Sequence, residues 1–294
     1  MTSPSTPRSV VVTGANKGIG YEAVKQLSQK LPNATIYLTA RTQANGDAAV
    51  QKMKQEVSSH DFSNVRVLLL EIVDPESVKQ AVASVKEQSG TLDVLLHNSG
   101  ISGIDGDYGH PEVFNVNVRG ARASIEAFST ILTKGSGKVI VVSSEVGAWQ
   151  TASLPKELQS KLLDAPNTSW DRVDAWIDDW LRLKQGKDGV KEAWNPVDQL
   201  VNSGYSVSKA LLNAYLRHFA LNDNAPKLAV VCPGYCATDL NNNSGYRSAA
   251  EGGESVIWPI FNEFEHGKFY QDGKQKPYDY AIPADFLNNL KPPQ

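Results

Sequence analysis

The sequence predicts an α/β fold: a doubly wound, mostly parallel, seven-stranded sheet with helices on both faces. Three observations predict it. Short β-rich apolar runs alternate with longer amphipathic segments along most of the 294-residue chain. The apolar runs are nearly continuous, as strands covered on both faces require. A glycine-rich turn separates the first strand-like run from the first helical one.

The strand-like runs are residues 9–13, 35–39, 65–71, 92–97, 138–143, 228–232 and 268–271. The helix after Gly18 carries Val24 and Leu27 on one face. Further helices begin after Asp74-Pro75 and at Pro111, where proline suits the first turn. Another runs from 203 to 220, with Ala210, Leu211 and Ala214 as good helix formers. The rhythm breaks between about 149 and 202, where no strand signal occurs. There Trp170, Val173, Ile177 and Trp180 share one helical face, with Asp171, Asp178 and Asp179 off it. This reads as a helical insertion within a single domain spanning 1–294.

Hydrophobic residues at 41% and charged residues at 21% are ordinary for a soluble globular chain. A net charge of −3 suggests no nucleic-acid or anionic-membrane partner. Cys232 and Cys236 lie four apart with no second pair, and read as packed thiols rather than a metal site. Few cysteines fit a reducing compartment. The stretch 1–10 is polar, without the apolar core of a secretory signal. No apolar run reaches the roughly 18 residues of a membrane-spanning helix. A cytoplasmic location is expected.

After the first strand comes Thr13-Gly14-Ala15-Asn16-Lys17-Gly18-Ile19-Gly20, then a helix. Such a turn lets backbone amides approach a pyrophosphate at a helix N-terminus. The spacing is GxxxGxG rather than GxGxxG, and the strand-before, helix-after context makes it a Rossmann-type nucleotide loop. The second strand ends Leu38-Thr39-Ala40-Arg41, and no Asp or Glu occurs from Ala23 to Gly46. The acid that would hold a ribose 2′-hydroxyl is therefore missing. Arg41 instead suits a 2′-phosphate, and Lys17 can add a second positive charge. NADPH/NADP+ is the expected cofactor, although surface cations would leave the same letters.

A hydride reductase needs a proton donor at the carbonyl oxygen and a neighbour that makes it acidic. Tyrosine serves if a cation sits close, and Tyr and Lys four apart share a helix face. Three pairs have that spacing. Tyr21/Lys25 follows the glycine loop and reads as a packing tyrosine with a solvated lysine. Tyr270/Lys274 straddles the turn Asp272-Gly273. Tyr205/Lys209 opens a helix between the fifth and sixth predicted strands.

Thr13-Gly14-x-x-x-Gly18-Ile19-Gly20, His97-Asn98-Ser99-Gly100, Asn117-x-x-Gly120, Ser143-Ser144-x-x-Gly147, Tyr205-x-x-x-Lys209 and Pro233-Gly234 occur in that order. Over nearly its whole length the chain resembles the short-chain dehydrogenases/reductases. Asn16-Lys17, Thr39-Ala40-Arg41, the insertion and Cys232-Pro233-Gly234 resemble the carbonyl-reductase branch, which prefers NADPH. The resemblance implies that Tyr205 protonates the carbonyl and that Lys209 holds the nicotinamide ribose and lowers the tyrosine pKa. It implies that Ser144 orients the substrate and that Asn117 holds a water linking Lys209 to solvent. Gly14, Gly18, Ile19 and Gly20 would cradle the pyrophosphate, with Asn16 and Lys17 also at the cofactor. Asn98 and Gly100 would pass near the adenosine ribose, and Pro233, Gly234 and Thr238 would meet the nicotinamide. The residues alone leave Ser143 beside Ser144 and Asn115 beside Asn117 as alternatives.

The chain departs from the family pattern in three places. His97 stands where asparagine is usual. The acid after the third strand is offered by Glu71-Ile72, with Asp74 as the alternative for the adenine amine. Ser144 and Tyr205 lie 61 positions apart, far more than in compact members. In carbonyl reductases such an insertion covers the helix through which others dimerise, so a monomer is expected. The loop at about 235–260 reads as a mobile substrate lid, with Tyr235 beside the substrate. Trp149 and Trp194 would wall the pocket or pack the insertion. The expected activity is reduction of a ketone, aldehyde or quinone with NADPH. The alternative is a catalytically silent NADPH-binding sensor or scaffold.

Overall fold

Val10, Val11 and Val12 are fully buried, which places the first strand in the middle of the molecule rather than at an edge. The computed structural model describes residues 6–103, 108–194 and 203–284. In it, β1 (Ser9–Val12) is flanked by β2 (Thr35–Ala40) and β4 (Val94–His97), and β3 (Val65–Leu69) lies outside β2. On the other side follow β5 (Lys138–Val142), β6 (Lys227–Val231) and β7 (Lys268–Gln271). These seven strands are parallel. An eighth, β8 (Lys274–Lys276), pairs antiparallel with β7 and closes that edge, giving the order β3-β2-β1-β4-β5-β6-β7-β8. The sequence predicts seven because Lys-Gln-Lys has no apolar residue, as suits an edge strand facing water. Asp272 and Gly273, both at positive φ, make the turn between β7 and β8.

Two cores follow from the two faces of β1. Val10 and Val12 pack with Val24 and Leu27 of α1 (Gly18–Lys30), with Met53 of α2 (Gln43–Glu56) and with Val256 and Ile260 of α10 (Ala249–Phe261). Val11 packs on the opposite side with α3 (Pro75–Ser89), α4 (His110–Phe114), α5 (Ala121–Ser129) and α9 (Ser203–Phe219). Asp74 caps α3, its carboxylate accepting from Glu76 N at 3.0 Å, with Pro75 in the first turn.

The region read as an insertion contributes α6 (Glu145–Ser153), α7 (Lys156–Leu163) and α8 (Trp170–Lys184), all on the α9 side. The last part of that span, residues 195–202, lies outside the described residues. Val173, Ile177 and Trp180 of α8 are buried and Asp171 and Asp178 exposed, as the periodicity predicts. Asp179 departs from it. It is 6% exposed and accepts from Lys191 N at 2.7 Å, Glu192 N at 3.0 Å and Trp194 Nε1 at 2.9 Å. Three donors make burial of that carboxylate tolerable, and Trp194 serves here to pack the insertion.

The segment expected as a loop over 235–260 is a loop only as far as Ser248. Beyond it runs α10, whose start is a capping box between Ser248 and Glu251. Gly252-Gly253 obscures the helical pattern in the letters, yet the pair serves helix contact. A Cβ on Gly253 would sit 2.9 Å from Glu22 Cβ of α1, and one on Gly252 2.6 Å from Cys236 Sγ. Among the described residues no helix is long and apolar enough to cross a membrane.

Candidate active site

The order of strands reverses between β1 and β4, whose successors run to opposite edges. That is where an open α/β sheet leaves a crevice at its carboxyl end. The crevice is bordered by the glycine turn after β1 and by Asn98–Gly100 after β4. Gly14 and Gly18 adopt φ +60° and +61°, the left-handed region that favours glycine. A Cβ on Gly20 would lie 2.5 Å from both Asn98 Nδ2 and Gly14 O. Asn98 Nδ2 donates to Thr13 O at 3.1 Å and to Gly14 O at 3.0 Å, so this side chain holds the turn itself. Asn16, Lys17 and Ile19 lie in or beside the turn. Lys17 Nζ pairs with Asp239 at 3.0 Å, both ends exposed. Arg41 is exposed just past the end of β2.

At the end of β3, Glu71 is half-buried and Ile72 buried, while Asp74 is engaged as the cap of α3. His97 is buried, with Nδ1 3.2 Å from Ser124 Oγ and 3.4 Å from Thr13 Oγ1. Burial, with the Lys209 charge nearby, pushes its pKa down to about 3, so the ring is neutral.

The four residues singled out by motif converge at the carboxyl ends of β4 and β5. Asn117 sits in a π-helical stretch, Asn115–Gly120, between α4 and α5. Its Oδ1 accepts from Ile101 N at 2.9 Å, and its Nδ2 donates to Ile101 O at 2.9 Å and Ser208 Oγ at 3.0 Å. Asn115 points away, accepting from Arg119 at 3.1 Å. Ser143 Oγ donates to Asn213 Oδ1 at 2.6 Å inside the core. Ser144 instead caps α6, accepting from Val146 N at 3.2 Å, and shares a hydrogen bond with the Tyr205 hydroxyl. Lys209 is buried. Its Nζ donates to Val142 O at 3.1 Å and stands 5.7 Å from the Tyr205 ring centroid. Burial pushes the Lys209 pKa down to about 8 and the Tyr205 hydroxyl well above its ordinary value. Gly100 passes over this group: a Cβ there would be 3.3 Å from Asn117 Oδ1 and 3.6 Å from Lys209 Nζ.

The loop after β6 borders the same region. Pro233 and Gly234 follow Cys232, and Gly234 adopts φ +80°. Thr238 faces the glycine turn, 3.6 Å from a Cβ built on Gly18. Tyr235 bonds Ser244 Oγ at 2.5 Å and meets the Tyr246 ring at 5.9 Å. Both cysteines are buried and free, and burial pushes their thiols up to about 12 and 11. Among the described residues no three His, Cys, Asp or Glu side chains come together as metal ligands would.

Sequence reasoning missed Ser208, which receives Asn117 and donates to Tyr205 O at 2.7 Å, and the carbonyl of Val142. Ser208 stands inside the Tyr-x-x-x-Lys pattern, so its position was a usable signal. The Val142 carbonyl carries none.

A doubly wound sheet with this site defines a nucleotide-dependent oxidoreductase, and the chain belongs to the short chain dehydrogenase family, whose pattern matches residues 8–161. It is 34% identical to a (+)-neomenthol dehydrogenase of Arabidopsis thaliana, over 86% of this chain and 90% of that protein. It is 30% identical to carbonyl reductase (NADPH) 1 of Rattus norvegicus, over 91% and 97% respectively. Among solved structures it resembles salutaridine reductase from Papaver somniferum, with a TM-score of 0.75 and 25% identity over 90% of this chain and 99% of that one. The family uses a nicotinamide cofactor, and the crevice fits one: the turn leaves no room for side chains at Gly14 and Gly20, where a pyrophosphate needs backbone.

Proposed function

We propose that this chain is an NADPH-dependent carbonyl reductase that converts a ketone, aldehyde or quinone to an alcohol, with Tyr205 as general acid. One observation carries the reading: the Tyr205 hydroxyl is bonded to Ser144 and backed by the buried ammonium of Lys209, beside a nucleotide crevice. The exposed Arg41 guanidinium supports NADPH over NADH, since it offers a planar fork to a 2′-phosphate where no carboxylate stands. The names of the relatives, carbonyl reductase (NADPH) 1 among them, point the same way.

Bound NADPH would supply the hydride. Gly14 to Gly20 would hold its pyrophosphate, and Arg41 with Lys17 its 2′-phosphate. Glu71, with Ile72, would meet the adenine, Asn98 and Gly100 would border its ribose, and Pro233, Gly234 and Thr238 would face the nicotinamide. Ser144 Oγ would hydrogen-bond the carbonyl oxygen and aim it at Tyr205. The raised pKa of Tyr205 keeps its proton in place until negative charge builds on that oxygen. The Lys209 ammonium then eases the loss of the proton by stabilising the phenolate. Asn117 would hold a water through which Lys209 exchanges protons with solvent. Tyr235, at the loop, would touch the substrate.

We read the chain as one cytoplasmic, monomeric domain, with α6–α8 covering the outer face of α9 and the loop up to Ser248 bordering the substrate. An intact proton donor argues against a silent NADPH sensor or scaffold. The test is NADPH oxidation at 340 nm across a panel of aldehydes, ketones and quinones, with Tyr205→Phe beside the wild type. Turnover should fall in Tyr205→Phe by about a hundredfold or more, with NADPH binding intact. Turnover equal in the two proteins would remove Tyr205 from the role. Tight NADPH binding without turnover of any panel compound by the wild type would leave the sensor reading.

A further inference from the structure

Glu145, the residue after Ser144, has no part in the reaction as proposed, yet its carboxylate is among the most heavily anchored in the molecule. Its side chain is 15% exposed. It accepts a hydrogen bond from the Tyr280 hydroxyl and pairs with the Lys276 ammonium at 3.2 Å. The Gln271 side-chain amide lies against both of its oxygens. Those partners come from the end of β7, from β8 and from the segment after it, far along the chain. Trp149, one turn further along α6, meets the Tyr280 ring edge-on with centroids 6.4 Å apart. At the other end of the residue, Glu145 N approaches Cys232 Sγ at 3.4 Å, at the end of β6.

The first turn of a helix favours a carboxylate through the dipole alone, but that needs no partners from another part of the chain. An exposed ion pair would contribute little. This one is largely shielded from water and has several donors, so its bonds are charge-assisted and directional. Their effect is geometric. The Ser144–Glu145 peptide is held from β6 on one side and from the β7–β8 hairpin on the other, one residue from the hydroxyl that meets Tyr205.

We infer that Glu145 is a positioning residue, gripped by Tyr280, Lys276 and Gln271 so that the C-terminal hairpin fixes where the Ser144 hydroxyl stands. The inference rests on the reductase reading and deepens it: the hairpin becomes part of the catalytic apparatus instead of a sheet edge alone.

The test compares full-length wild type with Glu145→Ala, Glu145→Gln, Tyr280→Phe and the Glu145→Ala/Tyr280→Phe double variant. NADPH sites are counted by fluorescence titration. Single-turnover NADPH oxidation, with the best carbonyl of the panel, is then expressed per NADPH site, so that a partly unfolded sample does not mimic a slow one. Glu145→Ala and Tyr280→Phe should each slow this step by about 10- to 100-fold, the scale of a small misplacement, with NADPH affinity unchanged. The double variant should be no slower than the slower single, because both cut the same latch. Glu145→Gln, which still accepts from Tyr280, should recover most of the rate. Unchanged rates per site with only a lower Tm would overturn the inference, as would losses that simply add. A wild type that binds NADPH and reduces nothing would overturn the reductase reading, and this inference with it.

Discussion

An ammonium buried against the carbonyl of Val142 weakens the fold that holds it. Lys209 has a folded-state pKa of about 8, below its ordinary 10.5. Between those values the unfolded chain holds the extra proton, so this group makes stability rise with pH from about 8 to 10.5; below about 8 its whole penalty is present. Lys209→Met is therefore expected to stabilise the cofactor-free protein at pH 7 by about 1–3 kcal/mol while abolishing turnover. Thermal melts at pH 7 and pH 10 check it: a Tm gain at pH 7 that shrinks by pH 10 is expected, and a loss at pH 7 would refute it. Arg41→Ala should weaken NADPH binding by about 10- to 100-fold, the value of a charge-assisted contact, and leave NADH affinity nearly unchanged in the same titration. Equal losses for both cofactors would mean that Arg41 does not read the phosphate. Single letters were legible where spacing alone brings side chains together, as with Tyr205 and Lys209 on one helix face. Asp179 and Glu145 were not legible. Their environment is made by Trp194 in one case and by Lys276 and Tyr280 in the other, and a carboxylate's letter does not say whether donors will surround it.

Elements were legible to the extent that their apolar residues are periodic. The seven parallel strands and the helices after Gly18, Asp74 and Pro111 have that signal. The eighth strand and α10 lack it, the first because an edge strand keeps only polar side chains, the second because a glycine pair and Pro259 interrupt it. Gly147 shows how much an element's fit depends on one missing atom. A Cβ there would lie 2.6 Å from the carbonyl carbon of Lys209 and 2.8 Å from its oxygen, where α6 crosses α9. Backbone cannot swing aside as a long side chain can. Gly147→Ala should therefore lower stability by about 1–3 kcal/mol and reduce kcat too, because Ser144 caps α6 and α9 carries Tyr205. Melting curves and the 340 nm assay measure both; an alanine variant with wild-type Tm and kcat would show that the two helices have slack.

At the scale of the whole molecule, the site is assembled where strand order reverses, and its parts come from β1, β4, β5, α9 and the loop after β6. The order of the motifs along the chain was enough to anticipate that assembly. The arrangement of the insertion was not, because α6, α7 and α8 are amphipathic helices that could pack on any apolar face. They lie in the same core as α9, with Leu158, Leu162 and Val173 buried there and Trp170 of α8 meeting the Tyr215 ring of α9 edge-on. With that face covered from within the chain, light scattering should return a mass near 32.0 kDa at working concentration. A value near twice that would mean that another surface mediates pairing.

The π-helical stretch Asn115–Gly120 acts as a phase shift. One residue more per turn rotates everything after it by about 100° relative to an unbroken α-helix. Phe114 before it and Ile125 after it are both fully buried, while Asn117, between them, turns its amide to Ile101 and Ser208. Removing one residue from this stretch would turn α5, with its buried Ile125 and Phe128, by about 100° relative to the Asn117 amide. One residue of extra length thus separates the face that α5 gives to the core from the face on which Asn117 meets the chain after β4.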